Sequence, residues 1–250
     1  MKLASVVQRP AVLIPAVALA ALMAAFWCWK DLDPALARQF VSGQSAGHHL
    51  AAQWPLKEAQ PWQALYRWGV YPAWLLGGGG AAVCLAGFVW PSLKRWRAAG
   101  LFYALLLLLG PGLIVNVLCK PYWKRPRPRD TAEVVRVDGL RPFVPVGQRG
   151  RIHEDRSFPS GHAAMAFYLM APAFVLYRRR RRLAAAFLIL GLTYGSIMGA
   201  ARIVAGGHFA TDVLGACGVI YFTALALSVP FHFGQEPAAS PNAAIAATST

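Results

Sequence analysis

Of 250 residues, 57% are hydrophobic and 14% charged, and the mean hydropathy is positive. These proportions exclude an ordinary soluble domain and fit a polytopic membrane protein. The formal net charge of +15 raises nucleic acid as a partner. The basic residues, however, sit beside apolar runs without an aromatic-basic repeat, so the expected partners are a membrane and anionic lipid, with no nucleic acid.

In chain order, six apolar runs are long enough to cross a bilayer as helices: residues 11–29, 72–90, 101–119, 159–177, 183–200 and 209–231. The expectation is an all-α membrane domain of six transmembrane helices over residues 1–233. A disordered tail, 234–250, made largely of Ala, Ser, Thr, Pro and Asn, follows it. Lys2 and Arg9 with Ala18-Leu19-Ala20 also resemble a cleaved signal, but the length of the first run and its aromatic end at Phe26, Trp27 and Trp29 favour a retained span. Residues 31–71, with Trp54, Trp62 and Trp68, read as short amphipathic helices on the outer interface, where anchoring is preferred over substrate gating. The glycines at 77–80 either permit close helix approach or mark a loosely packed stretch.

Orientation follows from the short basic connections. Lys2 and Arg9, then Lys94, Arg95 and Arg97, then residues 178–182 are expected on the cytoplasmic side. The connection 119–158 then lies outside despite its many cations, because long connections carry less topological weight and an anion site needs positive charge.

Three short strings fall at that same outer face. The first is KPYWKRPRP at residues 120–128, where Lys120 and Arg127, with Arg202 farther on, are the cations available to hold a phosphate. Pro126 and Pro128 stiffen the backbone around Arg127. Lys124, Arg125 and Arg129 read instead as solvated charges or headgroup contacts. The second string is Pro159-Ser160-Gly161-His162 at the start of the fourth span, where helix amides point at an anion and His162 is within reach as a proton donor. Taken alone, a capped helix with an interfacial histidine explains it as well. The third is RIVAGGHFATD at 202–212, in which His208 and Asp212 are spaced to share a helix face, either as a carboxylate-oriented nucleophile or as a structural hydrogen bond.

Other polar residues carry less. Cys28, Cys84, Cys119 and Cys217 lack metal-ligand spacing and read as small apolar residues, though Cys28 and Cys119 approach one face and a disulfide is conceivable there in an oxidising compartment. His48-His49 reads as solvated interface, and His153 with Glu154 and Asp155 as a polar loop or a cation site. No metal site and no cofactor are expected.

Together the strings resemble the signature of the type 2 phosphatidic acid phosphatase superfamily: K-x6-RP, then PSGH, then SR-x5-H-x3-D. Lys120, Arg127 and Pro128 fit the first part; Pro159, Ser160, Gly161 and His162 the second; Arg202, His208 and Asp212 the third, with Ala201 in place of the usual serine. The resemblance covers roughly residues 110–216, and six spans is that family's architecture.

The resemblance implies a metal-independent lipid phosphatase in which His208 attacks phosphorus to form a phosphohistidine, Asp212 orients it and His162 protonates the leaving group. Lys120, Arg127, Ser160, Gly161 and Arg202 would hold the phosphoryl group. The run 110–128 also resembles bacterial lipid A phosphatases of the superfamily; with the outward site expected from the basic connections and the cation-rich segment 120–156, the expected substrate is lipid A and the expected location the bacterial inner membrane, with the site facing the periplasm. Undecaprenyl diphosphate and phosphatidylglycerol phosphate are the alternatives within the enzyme class. A non-catalytic lipid-binding or transport protein is the alternative outside it.

Overall fold

The computed structural model describes residues 10–42, 54–137, 139–231 and 233. Lys2, Arg9, His48-His49 and the 234–250 tail lie outside the described residues. Among these residues no strand is present; the helices are α1 (Pro10–Cys28), α2 (Leu32–Arg38), α3 (Trp62–Trp68), α4 (Tyr71–Val89), α5 (Arg97–Leu107), α6 (Lys120–Trp123), α7 (Ala132–Val135), α8 (Gly161–Phe167), α9 (Ala171–Leu176), α10 (Arg181–Val204) and α11 (Ala210–Phe231). The expected all-α class is what forms.

Each of the six apolar runs is helical, but they are not equivalent. Four helical stretches are long and apolar enough to cross a bilayer, and α1 with α2 passes that test as a pair bent by 86°. That makes four to five candidate spans by length and composition. The remaining run, Gly161–Leu176, is a shorter apolar stretch, broken into α8 and α9 by a tight turn at Tyr168–Met170. Its composition explains its place. Ala163, Ala164, Ala166, Tyr168, Met170 and Ala171 are fully buried, whereas Leu75, Leu85 and Phe88 on α4 and Ile189 and Leu190 on α10 are exposed apolar side chains suited to lipid. α8 is therefore the inner helix of the bundle, packed against α4, α10 and α11.

Small residues let the neighbours close in around it. Gly191, Gly195 and Gly199 recur every four residues along one face of α10, where added methyl groups would strike the Met170 backbone, the Phe167 ring and the Val213 side chain. α5 and α11 complete the core through Phe102, Leu106, Val213, Ala216 and Ile220. α5 runs on into a π-helical stretch, Leu108–Cys119, with Pro111 inside it. Proline lacks the amide for an i→i−4 bond, and the wider register accommodates that loss.

The glycines at 77–80 divide into two kinds. A methyl group on Gly80 would sit 2.9 Å from Gly100 O, and one on Gly100 would strike Gly80 O, so α4 and α5 cross in backbone contact there. Around Gly78 and Gly79 nothing lies within 4 Å. Close approach is thus the role of Gly80 and of Gly77, where a methyl group would strike the Leu107 side chain, and overpacking at the crossing costs about 1–3 kcal/mol. Gly100→Ala is expected to lower the thermal unfolding midpoint in detergent, while Gly78→Ala leaves it unchanged or slightly higher.

Candidate active site

The route from α5 into the site begins with the π-helical stretch. Its Asn116 Nδ2 donates to Pro111 O at 2.7 Å, and its Oδ1 accepts from Lys120 Nζ at 2.7 Å. The ammonium is thereby held in one orientation, and a methyl group on Gly161 would come within 3.0 Å of Nζ and 3.3 Å of Asn116 Oδ1. A side chain at 161 would press the Lys120 ammonium back by a few tenths of an ångström.

After α6 the backbone turns left-handed at Lys124, with φ of 49°. That turn ends the helix and sends Arg125 inward. Its Nε donates to Val144 O at 2.8 Å, Nη2 to Asp33 Oδ2 at 2.8 Å, and Nη1 to both Thr211 Oγ1 and Asp212 Oδ1 at 2.6 Å. Arg125 is 2% exposed. The sequence reading of it as a solvated charge is therefore corrected: the side chain is an internal ion-pair centre. Arg127, two residues on, lies in extended backbone (φ −85°, ψ 155°) between its prolines.

α8 opens with Ser160 as its N-cap, whose Oγ accepts from Ala163 N–H at 3.4 Å. Ser160 N–H in turn donates to Asp212 O at 3.0 Å, which ties the second string to the third. His162, on the first turn, stacks on Tyr66 of α3 with ring centroids 4.7 Å apart. The other face of the site is Arg202, near the end of α10, whose guanidinium carbon lies 4.4 Å from the centroid of the Tyr66 ring. Arg202 is buried, and its Nε finds no hydrogen-bond partner among the described residues. Ala201 is buried beside it.

His208 does not stand on a helix shared with Asp212, as its spacing led one to expect. α11 begins at Ala210, and His208 sits in the preceding loop. Proximity arises because Asp212, in the first turn, reaches back: its Oδ2 accepts from Phe209 N–H at 2.9 Å and from the Ser157 hydroxyl. His208 Nδ1 then lies 3.4 Å from the same oxygen, within ion-pair distance, without a hydrogen bond to any described residue. Burial pushes the His208 imidazole down to about 4 even though Asp212 acts to raise it, and the charges of Arg202 and Arg127 add to the lowering.

All eight residues singled out from the sequence therefore converge. Lys120 is within electrostatic reach of Arg127, Arg156, Arg202 and Asp212, and His162 within reach of Arg202, His208, Lys120 and Arg127. Ser160 and Gly161 join them at the head of α8. A neutral imidazole backed by a carboxylate and faced by cations and a second histidine can receive and pass on a phosphoryl group. Among the described residues no three His, Cys, Asp or Glu side chains gather as metal ligands. Asp155 instead pairs with Arg141, and all four cysteines are free.

Sequence reasoning missed Asp33, Tyr66, Asn116, Arg125, Ser157 and Thr211. It also assigned residues 31–71 to interfacial anchoring. In the structure Asp33 is buried against Arg125, Tyr66 stacks between His162 and Arg202, and a methyl group on Gly206 would strike the Trp54 ring. Trp68 alone of the three tryptophans is largely exposed. Two signals were available: a lone amide in an apolar run and a carboxylate just beyond the first span, both costly unless partnered.

Residues 99–233 match the PAP2 superfamily. The chain is 35% identical to a lipid A 4'-phosphatase of Francisella tularensis subsp. novicida (strain U112) over 129 residues, 51% of this chain and 55% of that protein. It is 35% identical to a lipid A 4'-phosphatase of Rhizobium leguminosarum over 109 residues, 43% of this chain and 44% of that protein. The chain thus spans about half the length of these curated relatives. No solved structure matches it. Because the matched segment exceeds half the chain and holds every one of the eight converging residues, the chain belongs to the PAP2 superfamily.

Proposed function

We propose that the protein is a lipid phosphatase of the bacterial inner membrane that removes the 4'-phosphate of lipid A through a phosphohistidine. The observation that carries this is the placement of His208: buried, backed by Asp212 and faced by Arg127, Arg202 and His162. The names of the two relatives support the choice of lipid. The cations around Lys120, which include Arg156 beyond the signature, support a polyanionic substrate. Undecaprenyl diphosphate would use the same charge and is the second reading.

In the proposed reaction Lys120, Arg127 and Arg202, with the Ser160 hydroxyl and the Gly161 amide, hold the three non-bridging oxygens. His208 Nε2 attacks phosphorus, and the bond to the lipid oxygen breaks as His162 supplies its proton. Asp212 keeps the proton of His208 on Nδ1 and offsets the charge that the ring gains. Water, deprotonated by His162, then releases phosphate and restores His208. No step is routed through a metal.

The experiment is incubation of purified protein with lipid A in detergent and chelator, followed by mass spectrometry. Loss of one phosphate at the 4' position is the expected result, and an unchanged spectrum counts against the reading. His208→Gln is expected to lower the rate by about four orders of magnitude or more with substrate binding retained, and Asp212→Asn by about 10²- to 10⁴-fold.

The pH dependence has a defined sign. The attacking group is the neutral imidazole and the proton donor is a protonated His162, so kcat/KM is expected to fall tenfold per pH unit below the His208 value, with that midpoint at about 4, and to fall again on the alkaline side where His162 loses the proton it donates.

We further propose that the six helical runs cross the membrane with both termini inside and the site at the periplasmic face. The basic connections at Lys94 and Arg95 and at 178–182 support this orientation. Val135 is buried and unsuited to labelling, so Glu154, whose side chain is 85% exposed, reports on the outer loop. In a background lacking the native cysteines, Glu154→Cys is expected to react with an impermeant thiol reagent in intact spheroplasts. Ser92→Cys, on an exposed position of the opposite connection, reacts only after lysis. The reverse pattern places the site in the cytoplasm.

A further inference from the structure

Asp212 divides its two oxygens between different partners. Oδ2 faces His208 Nδ1 at 3.4 Å and carries Phe209 N–H and the Ser157 hydroxyl, while Oδ1 is taken by Arg125 Nη1 at 2.6 Å. A guanidinium this close draws on the same carboxylate charge that His208 needs. Behind it stands a second carboxylate, Asp33, which binds Arg125 Nη2 at 2.8 Å and is fixed by Thr211 N–H at 3.2 Å and by the Thr211 hydroxyl. The Thr211 hydroxyl also accepts from Arg125 Nη1 at 2.6 Å. Arg125, Asp33, Thr211 and Asp212 are all buried, so their charges are little screened by water.

We propose that Asp33 and Arg125 are positioning residues for phosphoryl transfer, Arg125 fixing the Asp212 carboxylate and Asp33 neutralising Arg125 so that Asp212 remains available to His208. Asp33 belongs to α2, outside the segment that matches the superfamily, so the bend after the first apolar helix completes the site. The inference rests on the phosphohistidine reading above.

The charges close as the step proceeds. Before attack, Asp33, Arg125 and Asp212 sum to one negative charge beside a neutral ring that carries its proton on Nδ1. Attack by Nε2 forms the N–P bond and expels the lipid oxygen, which takes the His162 proton; the ring becomes cationic and the buried group becomes neutral. Without the Asp33 charge the same step leaves an uncompensated positive charge. The groups facing His208 are Asp212 from α11, Arg202 from α10, Arg127 from the loop after α6 and His162 from α8, with Lys120 beyond them. Asp33 is the second carboxylate of the network.

The test is steady-state kinetics across pH on full-length protein in detergent, with dioctanoyl phosphatidate as probe. Asp33→Asn is expected to lower kcat about 10- to 100-fold with little change in KM. It also moves the acid limb of the profile to lower pH, since a negative charge supporting the protonated ring is gone. Asp33→Glu restores most of the rate and the limb. A purely structural role lowers the amount of active protein without moving the limb, so an unmoved limb, or a kcat within twofold of the parent, overturns the proposal. If Asp33→Asn does not fold, Thr211→Val carries the test, because it removes the hydroxyl between Asp33 and Arg125 and keeps the backbone N–H. A lowered kcat with the limb displaced the same way supports the proposal, and an unchanged profile overturns it. His208→Gln in the same assay separates the two readings: residual turnover there defeats the phosphohistidine, whereas a dead His208→Gln beside a normal Asp33→Asn defeats only this inference.

Discussion

A guanidinium with almost no access to water holds the functional end of this bundle together. Arg125 joins α2, the 139–158 connection and α11 through Asp33, Val144, Thr211 and Asp212, and its own carbonyl accepts from Ser157 N–H at 2.9 Å. Burying a cation costs several kcal/mol unless its partners are close and numerous, and here Nε, Nη1 and Nη2 all donate, in four hydrogen bonds. The geometry of Asp212 is thus a property of the network and not of one helix turn. Removing either carboxylate still leaves Arg125 paired with the other, but it strips a buried N–H donor of its acceptor, a defect that costs about 1–3 kcal/mol.

The second organising constraint is steric. Lys120 lies close against the head of α8 at Gly161, and α8 reaches the centre because α10 presents glycines to it every four residues. The inner helix is built of alanines for the same reason. Its shortness as an apolar stretch follows from facing protein on all sides, so it needs no lipid-matching length.

The all-α class and the eight signature residues were legible in the sequence because hydropathy and spacing are local properties. The partners of those residues were not. Arg125 looks like Lys124 and Arg129 in a row of cations, and only the left-handed turn at Lys124 turns it inward. The spacing of His208 and Asp212 predicted proximity for the wrong reason: helix periodicity was invoked, whereas the contact comes from an acidic side chain folding back over a helix start. Asp33 is separated from Arg125 by most of the first half of the chain, and no pattern in one sequence reports such a pairing.

Tyr66 occupies the edge of the site between the histidine assigned to the leaving group and the arginine assigned to phosphate. In the proposed reaction its ring borders the exit of the leaving alcohol. It belongs, with Trp54 and Asp33, to a stretch preceding the segment shared with the superfamily. The upstream stretch thus holds both a ring at the rim of the site and the Asp33 carboxylate behind Arg125, so under the proposed reaction it can be remodelled around Tyr66 for another headgroup only while Asp33 stays in place.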